Sequence, residues 1–152
     1  MLKKLTTLIN SDLKKSKFLK NETGITSIIL SSIIYKTVRI SFLIRLRQTY
    51  PSLKFFSNFV LNRRFIDIGN CKIGKSLVLP HPWSIIIADE TVVGNNVTIC
   101  QYVTLGGNFK KQRIINDNRI MKTDRYMKNN EMKLPIIGDN VVIGPGSVIG
   151  GP

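Results

Sequence analysis

His81 is the single histidine in a chain of 152 residues. It stands in LPHPWSIIIADETVVGNNVTICQYVTLGG (79–107), between Pro80 and Pro82, ahead of a β-branched run that closes on Gly106-Gly107. An imidazole titrates at about 6.5 and is mostly neutral at pH 7, so it can accept a proton from a hydroxyl without a metal. The two thiols, Cys71 and Cys100, lie 29 residues apart in no metal-ligand or disulfide pattern. Neither has a local setting that would make it a reactive thiolate. Proton transfer at His81 is therefore the chemistry on offer. A lone histidine is by default an ordinary surface residue, so its surroundings must decide.

Those surroundings repeat every six residues. Ile73-Gly74, Leu79, Ile87, Val93-Gly94, Ile99 and Leu105-Gly106 form a six-residue ladder, with two extra residues between Leu79 and Ile87. The ladder resumes at Ile137-Gly138, Ile143-Gly144 and Ile149-Gly150. Four residues after successive ladder positions come Leu77, Thr91, Val97, Val103, Val141 and Ser147, mostly small or β-branched. A period of six is neither that of a helix nor that of an ordinary strand. It predicts a parallel β-helix, in which each hexad makes one short flat side and a corner. Glycine and asparagine (GNN, GDN, GPG) mark corners where positive φ is cheap. A β-sandwich with similar turns is the alternative that the strict spacing disfavours.

Residues 1–65 read differently, as a helical segment ahead of a β-helix domain over 66–152. Leu5, Leu8, Ile9, Leu13 and Phe18 approximate one helical face. A second helix is expected over roughly 25–48, ending before Pro51, and a third in SLKFFSNFVLNRR with Phe55, Phe56, Phe59 and Val60 at helical spacing. The net charge of +14 is concentrated here: residues 1–66 hold 13 Lys/Arg against Asp12 and Glu22. Packing against the rest, with a solvated basic face, is one reading. Peripheral docking on an anionic membrane is the other. GITSIILSSIIY (24–35) is too short to span a bilayer. The absence of a signal peptide pattern and the cysteine usage suggest a cytoplasmic protein, at most at the inner face of the membrane.

With these residues in view, LPHPWSIIIADETVVGNNVTICQYVTLGG followed by IIGDNVVIGPGSVIGG resembles the hexapeptide-repeat acyltransferases, closest to the serine acetyltransferase branch and its sugar O-acetyltransferase relatives. The resemblance implies a left-handed β-helix assembled as a homotrimer, with acetyl-CoA as acyl donor in the groove between prisms and no metal. It places the general base on His81. It places cofactor contacts on Gly106, Gly107 and the turn Gly144-Pro145-Gly146. Further coils usually follow in the family, so the domain is expected to be C-terminally short.

The sequence departs from that branch at the acceptor side. Where serine acetyltransferases carry an aspartate directly before the histidine, this chain has Pro80; where they carry an arginine–histidine pair before a proline, it has Lys133-Leu134. Lysine keeps charge but lacks the two-pronged fork that suits a carboxylate. The aspartate that orients the histidine should fall fifteen residues upstream, at Ile66, with Asp67 one position off. A one-residue shift turns a strand side chain to the other face. Asp67 is thus either the orienting partner, through a bulge, or a turn residue. The segment 108–133, with eight Lys/Arg and three acids, is an insertion that reads as a basic lid or a solvated excursion. Trp83 is a candidate for stacking on a sugar ring or for covering the prism.

The function expected is acetyl-CoA-dependent O-acetylation of a hydroxyl on a sugar or surface-polysaccharide precursor. L-serine as acceptor is the runner-up. A non-catalytic basic binding or scaffold protein is the alternative of another class, although no nucleic-acid motif accompanies the charge.

Overall fold

The computed structural model describes residues 1–17, 23–107 and 134–151. Four helices precede nine short strands: α1 (Leu2–Lys15), α2 (Ile25–Ile34), α3 (Lys36–Thr49) and α4 (Lys54–Asn62), with a 3-10 turn at Pro51–Leu53. The strands are β1 (Asp67–Ile68), β2 (Lys72–Ile73), β3 (Ile86–Ile87), β4 (Val92–Val93), β5 (Thr98–Ile99), β6 (Thr104–Gly106), β7 (Ile136–Ile137), β8 (Val142–Ile143) and β9 (Val148–Gly150). All pair in parallel, in the orders β1-β3-β6-β9, β2-β4-β7 and β5-β8. Three faces of a prism result, here termed A, B and C. From β3 onward each strand pairs with the one three along; β1 and β2 pair with the one two along, because the face C position of their coil is only the isolated bridge Val78–Thr98.

The ladder residues are the core. Ile73, Leu79, Ile87, Val93, Ile99, Leu105, Ile137 and Ile143 are buried, as are Leu77, Thr91, Val97 and Val103 four residues on. Full burial of such a side chain contributes roughly 1.5–3 kcal/mol. The corners repeat in register. Phe65, Ser84, Tyr102 and Gly146 all adopt positive φ before successive strands of face A, and Ser76, Asn96 and Asn140 do so before face C. Asn96 Nδ2 donates to Asn140 Oδ1, stacking that corner. Gly74 has a different constraint: a Cβ there would lie 2.5 Å from the Gly94 carbonyl oxygen of the next coil.

The first coil has carbonyls that no preceding coil can pair, and an open end is costly to bury. Helix α3 supplies the donors. Arg45 donates to the Ile73 (3.0 Å) and Gly74 (2.7 Å) carbonyls, Arg47 to Gly69 (3.0 Å) and Gln48 to Ile73 (3.3 Å). Ile40, Leu43 and Ile44 of α3 join the prism core, together with Leu61 of α4. Helix α1 packs Leu5, Ile9 and Leu13 against Ile28 and Val38 in a second cluster.

Two helical expectations differ from the structure. The segment 25–48 is two helices rather than one. It breaks at Tyr35, which is extended (φ −103, ψ 120), and Arg39 donates back to the Ser32 and Ile33 carbonyls at the end of α2. In α4 the residues turned inward are Ser57 and Leu61, while Phe55, Phe56 and Phe59 face outward, Phe55 being 86% exposed. The helical spacing was real, but the face it defined is not the packed one.

Candidate active site

His81 lies on the stretch that carries the chain from face C to face A. Leu79 and Ile85 anchor its two ends in the core and Pro82 is buried beside it, which leaves His81 itself exposed. Below it the same edge continues. The Tyr102 N–H donates to the Trp83 carbonyl (3.0 Å), and one coil on the Gly146 N–H donates to the Gln101 carbonyl (3.1 Å). The His81 loop, Gln101-Tyr102 and Gly144-Pro145-Gly146 therefore form one column. At about 4.8 Å per coil, the outer two stand roughly 10 Å apart along the prism.

Glycine at this edge has two different reasons. Gly146 sits at φ +74, a conformation that a side chain would strain. Among the described residues a Cβ at Gly144 would meet only Ser147 Oγ, at 4.0 Å, so none of them requires it to lack a side chain. Gly106 is similar: a Cβ there would meet only Thr104 Cγ2, at 4.0 Å. Gly106 is the last residue of β6 and Gly107 follows it, at the other edge of face A. The structure thus brings His81 and Gly144–Gly146 to one edge of face A and puts Gly106–Gly107 at the opposite edge. A single ligand reaching both must cross that face.

The remaining sites stand as follows. Asp67 is a strand residue of β1, not a turn residue; it pairs with Ile86 and points outward. No hydrogen bond joins Asp67 to His81 among the described residues, and the Asp67 carboxylate acts electrostatically on Arg47. Ile66, where the family pattern would put the orienting acid, is buried in the core. Trp83 is 38% exposed, with Phe65 edge-on at a centroid separation of 5.7 Å and the Arg64 guanidinium 5.8 Å from its ring centroid. Those neighbours give the indole a structural occupation. Lys133 and the rest of the insertion, 108–133, lie outside the described residues. Tyr102 is exposed at the middle of the histidine edge and was not anticipated; the signal was its corner position in the hexad, the same as that of Gly146.

Among the described residues no group of three or more His, Cys, Asp or Glu is placed to hold a metal. No helix there is long and apolar enough to cross a membrane.

No family model matches the sequence. Serine acetyltransferase 1, chloroplastic, of Arabidopsis thaliana is 40% identical over 85 residues, covering 55% of this chain and 21% of that protein. Serine acetyltransferase of Staphylococcus epidermidis is 40% identical over 92 residues, covering 59% of this chain and 35% of that protein. The chain thus spans about a fifth to a third of the length of these relatives. In fold it matches the soybean serine acetyltransferase apoenzyme with a TM-score of 0.62 at 24% identity, over 96% of this chain and 54% of that one. It also matches serine acetyltransferase isoform 3 of Entamoeba histolytica in complex with cysteine, with a TM-score of 0.61 at 21% identity, over 95% of this chain and 47% of that one. The expected left-handed β-helix with N-terminal helices is therefore the observed fold. The chain is thus similar to serine acetyltransferases, in sequence over more than half of its length and in fold over nearly all of it.

Proposed function

We propose that this chain is an acetyl-CoA-dependent O-acetyltransferase with His81 as its general base. The observation that carries the reading is the exposed imidazole on an edge shared with a glycine turn, one of whose glycines packing does not explain. The donor supplies an activated acetyl thioester. The neutral His81 imidazole takes the proton of the acceptor hydroxyl as its oxygen attacks the acetyl carbon, then returns it to the departing thiolate sulfur, so the ring ends as it began. The backbone of Gly144, Gly146, Gly106 and Gly107, bare of side chains, lets the donor's thin arm lie close to the main chain. Since those two sets lie at opposite edges of face A, a homotrimer that lays a neighbouring prism along that face would complete the groove.

For the acceptor, the relatives favour L-serine over the saccharide preferred from sequence. Serine is accordingly the first reading. The saccharide remains the second, because Pro80 and Leu134 cannot make the ionic hydrogen bonds that a free amino acid would use. Contact with the inner face of a membrane belongs to the same second reading. Its support is α4, where exposed phenylalanines neighbour Lys54, Arg63 and Arg64. The deciding experiment measures thiol release from acetyl-CoA with L-serine and with a panel of hexoses and amino sugars. Turnover with serine above every sugar supports the first reading, and the reverse supports the second. No release with any acceptor rejects the transferase.

A further inference from the structure

Helices α1 and α3, the 3-10 turn and the first coil enclose a cleft of about 340 Å³ whose walls include Lys4, Arg47, Lys54, Asn70, Cys71 and Lys72. Its volume falls within the range of small-molecule sites. No acidic side chain is among the lining residues, and neither is His81. The cleft is thus separate from the edge described above.

Arg47 is the informative residue. It is only 7% exposed, and its guanidinium donates once to Asn58 Oδ1 (2.9 Å) and once to the Gly69 carbonyl (3.0 Å). A guanidinium has five N–H donors, so most of its capacity is uncommitted. Arg45, two residues away, is fully buried and meets the Asp12 carboxylate, the one ion pair among the described residues. Arg47 has no such ion pair: burial, the largest influence, works against its charge, and Cys71, Asp67 and Asp89 favour that charge only through space. A buried cation left without an anion is costly. Three exposed lysines converge on the same space and add to that cost unless an anion enters. Four cations with no acid among the lining residues suit a ligand of two or more negative charges, which a phosphate carries and a single carboxylate does not.

We propose that this cleft binds a phosphate or pyrophosphate group, with Arg47 as its fixed fork and Lys4, Lys54 and Lys72 as the counter-charges around it. The group could belong to a soluble metabolite or to a lipid headgroup. The two cysteines provide the test, since Cys71 lines the cleft and Cys100 does not. Alkylation of each by iodoacetamide is followed by mass spectrometry on the whole chain, with and without inorganic pyrophosphate at fixed ionic strength. A parallel arm compares phosphatidylglycerol with phosphatidylcholine vesicles. Saturable slowing at Cys71, with Cys100 unchanged, supports the site; pyrophosphate as protector assigns a soluble ligand, and phosphatidylglycerol alone assigns a headgroup. Lys4→Gln with Lys72→Gln, both at exposed positions, should raise the half-protecting concentration about tenfold while the far-ultraviolet circular dichroism stays native. Absence of protection in both arms, equal slowing of both cysteines, or an unshifted midpoint in the lysine variant would overturn the proposal.

Discussion

Arg45 Nε lies 2.7 Å from Asp12 Oδ2, with the two side chains 0% and 1% exposed. Arg45 Nη2 reaches the other carboxylate oxygen at 2.8 Å, and that oxygen also accepts the Leu77 N–H at 2.9 Å. One carboxylate and one guanidinium thus tie α1 and α3 to the first coil. Burial, the larger influence, lifts the Asp12 carboxyl above its usual range against the pull of Arg45. Asp12→Ala should therefore destabilise the fold by about 3–5 kcal/mol, because Arg45 is left charged and unpaired. The paired change Asp12→Leu with Arg45→Met should recover part of that loss. Urea denaturation of Asp12→Ala, of the double variant and of its two single changes, Asp12→Leu and Arg45→Met, checks both statements; full additivity would show that the two residues do not act as a pair.

Two glycines should respond in opposite ways to the same methyl group. Gly74→Ala drives its Cβ to 2.5 Å from the Gly94 carbonyl oxygen and should cost about 1–3 kcal/mol of stability. Gly144→Ala meets only Ser147 Oγ at 4.0 Å and should change stability by no more than about 0.5 kcal/mol. In the transferase reading Gly144→Ala instead raises KM for the donor. Thermal melts and donor titrations separate the two effects. A Gly144→Ala chain with unchanged kinetics would remove that turn from the donor groove.

The outward face of α4 predicts another separation. Phe55→Ser and Phe59→Ser should leave folding free energy within about 0.5 kcal/mol of the parent, since both rings are mostly exposed. If α4 rests on lipid, the same changes reduce co-sedimentation with anionic vesicles. Unaltered partitioning would assign that face to some other contact.

Cys71 offers a pH signature. Burial pushes its thiol above the ordinary range, outweighing the pull of Arg47. Less thiolate is then present at any given pH, so alkylation of Cys71 should be slower than that of a free thiol and rise through a midpoint above the free-thiol value. A midpoint below that value would mean that Arg47 dominates.

The solenoid was legible because its signal is redundant. Each hexad repeats the same demand for an inward aliphatic residue, and Ile87, Val93, Ile99 and Leu105 all meet it. The histidine edge was legible in part, since its register follows from counting hexads to His81 and to Gly144–Gly146. The helical half was not. Arg45 and Arg47 read as interruptions of an apolar helix, yet they cap carbonyls of a coil that comes later in sequence, a non-local need that periodicity does not encode. Phe55 and Phe59 misled for the converse reason, because apolar spacing defines a face without saying what covers it. Asp67 could not be placed from sequence, where a one-residue offset decides the face, and in the structure it points outward from β1.

The most direct measurement is thiol release from acetyl-CoA, in the presence of the best acceptor, by the parent chain and by His81→Ala. Because His81 is exposed, the substitution should leave the melting temperature unchanged while turnover falls by about 10²–10⁴-fold, the usual contribution of a general base. Turnover in the folded alanine variant equal to that of the parent would contradict the assignment.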